Sequence, residues 1–226
     1  MQEIPLWLPV LLFSMVAHEY AHGYAALRQG DPTAYQLGRL TFNPLKHIDP
    51  WMTIALPLLL GLSSGGRLIF GGAKPVPVNP RNYRNYRRGD IIVSLAGVAA
   101  NAALAVACLV VGIGLGLLGD ALPAASGTLA LLQRMMFWGV WLNLLLGFFN
   151  LIPIPPLDGS HVLYHLLPPA LGAHYRALSQ YGFLILLALI LFFRGLFSVL
   201  LLPAIALNAL AMHVAQPFWL MPPPIM

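Results

Sequence analysis

Charge is what this sequence has least of. Of its 226 residues only 8% are Asp, Glu, Lys or Arg, where a soluble domain carries about a quarter. With 59% of residues hydrophobic, the chain reads as a membrane protein lying almost wholly in or against the bilayer, with no room for a separate soluble domain. There is one cysteine, Cys108, inside an apolar run, so an intrachain disulfide is excluded and packing is its expected role. Seven acidic residues are set against twelve Lys and Arg. The formal net charge of +5 gathers in one loop, as the positive-inside rule requires, so no nucleic-acid partner is expected. No internal repeat is visible, which removes the two-half symmetry of many transporters. The opening Met1-Gln2-Glu3 lacks the positive n-region of a cleaved leader.

What is present is a series of apolar runs separated by Pro-, Gly- and Arg-rich turns. Residues 4–28 form a first span with Pro5 and Pro9 near its start and Arg28 at its end, which places that end on the cytoplasmic side. Residues 29–50 are turn-rich, and Tyr35–Phe42 suit either a short strand able to pair with an unwound peptide or a plain connecting loop. Residues 51–64 are apolar but short for a crossing and read as re-entrant, with a short true span as the alternative. Residues 65–90 carry Lys74, Arg81, Arg84, Arg87 and Arg88 and are expected to face the cytoplasm, against lipid headgroups. Residues 91–118 run outward with Asn101 as their strongly polar side chain, and 131–152 run back inward to a proline cluster. Residues 177–215 are apolar except for Arg194, and read as a helical hairpin or one long kinked helix. The expected fold is all-α and polytopic, with about five to six transmembrane helices and a short β or re-entrant segment after the first. Residues 1–226 are read as one unit, with a catalytic core of about 4–160 and a C-terminal hairpin of about 177–215.

The polar residues inside these spans carry the chemistry. His18-Glu19-Tyr20-Ala21-His22 spells H-E-x-x-H at the inner end of the first span. Four helical steps turn about 400°, which stacks the two imidazoles on one face where they can hold one Zn²⁺. Glu19, the next residue round, is placed to act as general base toward a water at that metal. The competing reading is a polar turn at the membrane surface or two hydrogen-bonded core histidines; it must explain charge-bearing groups in a place where they are costly. A catalytic zinc commonly takes three protein ligands. Among the acidic residues, Asp158 follows a proline-broken span on the same expected side of the membrane, so it is the candidate third ligand. Fe²⁺ and Co²⁺ suit the same ligand set. His161 and His165 form a second i, i+4 pair, for which capping or packing is preferred over an accessory metal.

Together, H-E-x-x-H and Asn150-Leu-Ile-Pro-Ile-Pro-Pro-Leu-Asp158-Gly resemble the site-2 protease family of intramembrane metalloproteases. The likeness covers roughly residues 14–160, including GRLTFNPLKHIDP and GAKPVPVNP, and is to the compact bacterial branch without PDZ or CBS domains. One departure is Val98 after Gly97, where the family often has proline; Asn101 is retained. The resemblance implies a multi-pass enzyme of the cell membrane that hydrolyses peptide bonds within or beside transmembrane segments of other proteins, with its active site toward the cytoplasm. Asn150 and Asn101 are candidates for holding substrate backbone or the developing oxyanion, with a helix-to-helix hydrogen bond as the alternative for each. The rivals are a non-catalytic metal-binding sensor or transporter, and a metalloprotease of soluble peptides. Substrate identity and oligomeric state are outside what the sequence addresses.

Overall fold

The computed structural model describes residues 3–63 and 71–221. Three long helices build the frame: α1 (Ile4–Gln29), α4 (Tyr86–Ala121) and α5 (Ser126–Asn150). Between the first two lie α2 (Thr33–Gln36) and α3 (Leu56–Ser63). After α5 come α6 (Asp158–Leu166), α7 (Pro169–Ala177), α8 (Gly182–Phe192), α9 (Arg194–Leu200) and α10 (Leu202–Ala215). Four helical stretches are long and apolar enough to cross a membrane, 4–29, 86–121, 123–150 and 169–192; there are five if 194–200 and 202–218, bent by 52°, count as one. The protein is an all-α, multi-pass membrane protein.

The frame is packed as a membrane interior requires. Large apolar side chains such as Leu8, Phe13, Val106, Val110, Leu117 and Leu131 stand on the outside, where hydrocarbon replaces water. Most buried positions of α4 and α5 are small or polar, among them Gly97, Asn101, Gly112, Gln133, Gly139 and Asn143, with Val93, Phe137 and Val140 as the apolar exceptions. Without a hydrophobic drive between helices in lipid, close backbone approach and interhelical hydrogen bonds hold them together. Gln133 is an example: its Nε2 donates to the Gly112 and Phe218 carbonyls, and its Oε1 accepts from Leu220 N–H, which docks the C-terminal stretch onto α4 and α5.

The connection from α1 to α4 departs from one sequence expectation. Residues 35–42 form no strand. Thr33–Gln36 is a single helical turn, ended by Gly38 at φ 63°, a left-handed conformation incompatible with a ladder. The apolar 51–63 stretch makes a π-type turn and a helix of eight residues, too short to span. The chain then returns to its starting point: Gly72 N–H donates to the Met52 carbonyl at 3.0 Å, and the Thr53 hydroxyl donates to the Gly72 carbonyl at 2.7 Å. From Gly71 to Asn79 the backbone is extended, and Pro75 and Pro77 lock φ while lacking donors of their own.

One buried carboxylate ties this extended segment to the end of α1. Asp31 is fully buried and accepts from Thr33 N–H, the Thr33 hydroxyl, Asn79 N–H at 2.6 Å and Asn82 Nδ2 at 2.8 Å. Burial raises its pKa, but the donors, led by Asn79 N–H, outweigh this and hold the carboxyl below its ordinary value. A depressed folded-state pKa gives stability that is complete above the unfolded value of about 4 and is lost as pH falls through the folded one. Asp31→Asn is therefore expected to cost about 1–3 kcal/mol at neutral pH, the usual loss when a charged hydrogen-bond acceptor is removed. It should also flatten the acid limb of stability, read by unfolding in detergent as pH is lowered from neutral through the ordinary carboxylate range of about 4 and below.

Candidate metal centre

α1 runs toward the Arg28 end, and its buried face carries Val10, Ser14, His18 and Ala26 at four-residue spacing, with His22 in the same row. α5 ends at Asn150, and Ile152–Leu157 make irregular turns in which Pro153, Pro155 and Pro156 exclude a helix. α6 then restarts with Asp158 in its first turn. A Cβ on Gly159 would lie 2.1 Å from the Leu151 carbonyl oxygen, so only glycine lets α6 fold back onto the end of α5. This brings Asp158 to the imidazole pair.

The three candidate ligands meet. His18 Nε2 and His22 Nε2 are 2.9 Å apart, and Asp158 Oδ2 lies 3.2 Å from the first and 3.4 Å from the second. They are the one such group of three or more His, Cys, Asp or Glu among the described residues. Tetrahedral zinc with bonds of about 2.0–2.1 Å sets its ligand atoms about 3.3 Å apart, close to this triangle.

The opposite edges of both rings are already occupied. His22 Nδ1 donates to the Val93 carbonyl at 2.7 Å, and His18 Nδ1 donates to Asn101 Oδ1. With Nδ1 carrying the proton, each neutral ring turns the lone pair of Nε2 inward. Three electron-pair donors then face one another within 3.4 Å, and Asp158 Oδ2 is buried with no hydrogen-bond partner. A cation among them resolves the repulsion, so the residues present fit a metal ion.

α4 supplies the mould. Asp90, Val93, Gly97 and Asn101 stand three, four and four residues apart, along one face. A Cβ on Gly97 would lie 2.5 Å from His18 Cε1 and 2.6 Å from both Nε2 atoms, so the rings occupy the space a side chain would take. Asn101 has no exposed surface; its Nδ2 donates to Asn143 Oδ1 at 2.8 Å, and Asn143 Nδ2 donates to the Ser14 hydroxyl at 2.9 Å. Asn101 thus braces His18 from behind, a helix-to-helix hydrogen bond of the kind weighed as the alternative to substrate contact. Asn101→Ala is expected to weaken zinc binding about 10- to 100-fold, as loss of a ligand's hydrogen-bond partner does elsewhere, measured by chelator competition.

Glu19 contributes no atom to the ligand triangle. Its Oε2 accepts from Val76 N–H at 2.7 Å, so the 71–79 segment fixes the carboxylate. Asn150 sits half-buried at the end of α5, with Nδ2 donating to the Leu146 carbonyl one turn back. Sequence reasoning missed the parts played by Gly97, Val93 and Val76. The Gly97 and Asn101 spacing of four was the available signal for one of them; the other two act through backbone atoms and leave none.

Comparison with known proteins gives the family. The model of Peptidase family M50 matches residues 122–193, a window that contains Asp158. A Bacillus subtilis protein named "Putative zinc metalloprotease YwhC" is 38% identical over 200 residues, covering 88% of this chain and 85% of the relative. The chain belongs to peptidase family M50. This is the site-2 protease family, and the chain is of its compact bacterial type. Two further M50 relatives, each named "Putative zinc metalloprotease Rip2", are 35% identical in Mycolicibacterium smegmatis and 32% identical in Mycobacterium tuberculosis, each over 180 residues. The alignment spans 80% of this M50 metalloprotease but 64% of either Rip2 protein. No solved structure matches the chain.

Proposed function

We propose that this M50 protein is a zinc-dependent endopeptidase that cleaves membrane-protein substrates within or beside their transmembrane segments. One ion would be held by His18 Nε2, His22 Nε2 and Asp158 Oδ2. The observation that carries the reading is the convergence of three possible ligand atoms from helices 136 residues apart in sequence (His22 to Asp158), with both imidazoles pinned at their far nitrogens. When bound, the ion supplies Lewis acidity toward a water and a peptide carbonyl.

The chain's own residues do the rest. Glu19 takes the proton of the attacking water and delivers it to the leaving amine. The Val76 N–H bond holds Glu19 in one orientation. Asn150, at the mouth of the broken segment, is the remaining candidate for orienting substrate backbone. A metal-binding sensor or transporter would have no use for Glu19, which is ordered beside the ligands yet is not one of them.

The site is placed toward the cytoplasmic face. Support comes from Arg28, Lys74, Arg81, Arg84, Arg87 and Arg88, all at the end of the frame where His22 and Asp158 meet. Water reaches such a site without crossing the hydrocarbon. The lipid bilayer and a partly unwound substrate helix are its expected surroundings, and a soluble peptide is the competing substrate.

The test is metal analysis of purified protein beside Asp158→Ala, with cleavage of a membrane-spanning and a soluble peptide panel. One zinc per wild-type chain, lost in the variant, with cleavage of the spanning substrates is the expected result. Equal zinc in both proteins would remove Asp158 from the centre, and cleavage of soluble peptides alone would remove the membrane substrate.

A further inference from the structure

α6 has nine residues and follows a backbone that the prolines keep irregular, so its own hydrogen bonds do not set its rotation or height. Asp158, His161 and His165 stand at i, i+3 and i+7 and share one face of it. Asp158 faces the imidazoles of α1. The two histidines face α4, where Asp90 Oδ2 lies 2.7 Å from His165 Nε2 and 3.3 Å from His161 Nδ1. Asp90 and His165 are both buried, and the His165 ring is wedged edge-on against Tyr86 and Tyr164, with centroids 5.3 and 4.9 Å away. His161 is half-exposed and lines a cavity of about 540 Å³ with Ser160, Tyr175 and Arg176.

A buried carboxylate in a membrane protein is costly unless it is paired, and this one is paired with two side chains of a single short helix. Two attachment points one turn apart fix both rotation about the helix axis and position along it, where a single contact would leave rotation free. Asp90 also continues the row on α4 that includes Val93, whose carbonyl holds His22, Gly97, which seats both rings, and Asn101, which holds His18. Three members of that row set two ligands; the fourth lies opposite the helix that carries the third.

We propose that Asp90 is a positioning residue for the metal centre: by clamping His161 and His165 it seats α6 so that the Asp158 carboxylate meets the two imidazoles. The inference rests on the proposed zinc centre. α4 is then a template for all three ligands, and the catalytic geometry depends on a carboxylate that is not a ligand.

The experiment uses the full chain in detergent, as wild type, Asp90→Ala, Asp90→Asn and His161→Gln. Zinc affinity is read by chelator competition and ligand geometry by the visible absorption of the Co²⁺-loaded protein. Asp90→Ala is expected to lose at least tenfold in zinc affinity and to shift the Co²⁺ bands as the carboxylate arm loosens. Asp90→Asn, which keeps one acceptor oxygen, should recover part of both. In cleavage assays kcat should fall with KM nearly unchanged, because the proposed clamp acts through the Asp158 carboxylate and not on the peptide. Should Asp90→Ala fail to fold, Asp90→Asn and His161→Gln carry the same readouts with smaller expected shifts. Wild-type affinity and an unchanged Co²⁺ spectrum in the folded variants overturn the clamp while leaving the metal centre standing. Absence of zinc and Co²⁺ binding in the wild type overturns both.

Discussion

Gly97→Ala is expected to abolish metal binding while leaving the helices intact. The added methyl carbon would lie 2.5–2.6 Å from three ring atoms of His18 and His22, well inside contact distance. The rings cannot step aside cheaply. His22 is tethered to the Val93 carbonyl at 2.7 Å, and His18 is tethered to Asn101, itself braced by Asn143 and Ser14. Relief requires moving the imidazoles or α4 by about 1 Å, the scale of error at which a preorganised site stops working. Alanine is the better helix former by about 1 kcal/mol, so α4 itself gains from the change. The two effects point opposite ways, which makes the result diagnostic. Circular dichroism should match wild type, while zinc affinity falls at least about 100-fold, the loss of more than one ligand interaction. Stoichiometric zinc at wild-type affinity in the variant would mean that the helix spacing is soft and that Gly97 is no cradle.

Glu19→Gln is expected to separate binding from chemistry. The substitution preserves shape and leaves an amide oxygen to accept from Val76 N–H, so the 71–79 segment stays in place. No ligand atom is lost, and zinc content should equal that of wild type. What goes is the ability to take a proton from water, a contribution of about 10²–10⁴-fold in rate. Cleavage should drop by that factor with substrate binding retained. Residual activity within about tenfold of wild type would place the general base elsewhere. Asp158→Ala behaves differently, since it should lose metal and activity together. Comparing the two variants therefore tests whether the carboxylates have distinct roles.

The readable part of this molecule is local or periodic. H-E-x-x-H lies within one helix, so five residues of sequence define its geometry. The span pattern follows from runs of apolar residues long enough to cross hydrocarbon, and the all-α fold follows from those spans. Asp158 was reachable because few acidic residues exist and one follows a break that only a protein-lined site tolerates. Of the two readings for 35–42, the connecting loop holds and the strand does not form, because Gly38 turns the backbone left-handed, and nothing in the alternation of side chains announces a φ value. Asn101 carried two readings in the sequence, a substrate contact or a helix-to-helix hydrogen bond, because a polar residue in a span invites either. Whether it faces the cleft or the back of a histidine depends on the rotation of α4 against α1.

Two things about this protein follow from residue order alone: that it lives in the membrane, and that a pair of imidazoles with an adjacent carboxylate is presented on its first helix. Both rest on repeating or short-range geometry, which a helix fixes without neighbours. The approach of Asp158 to the imidazole pair, the glycine seat beneath the rings, the backbone carbonyl behind His22 and the contact of Asp90 with His161 and His165 were decided by how α1, α4 and α6 stack. Those contacts join atoms roughly 70 to 140 positions apart. No pattern along a chain encodes them, because each depends on the closest approach of helices whose spacing is set by every other residue between them.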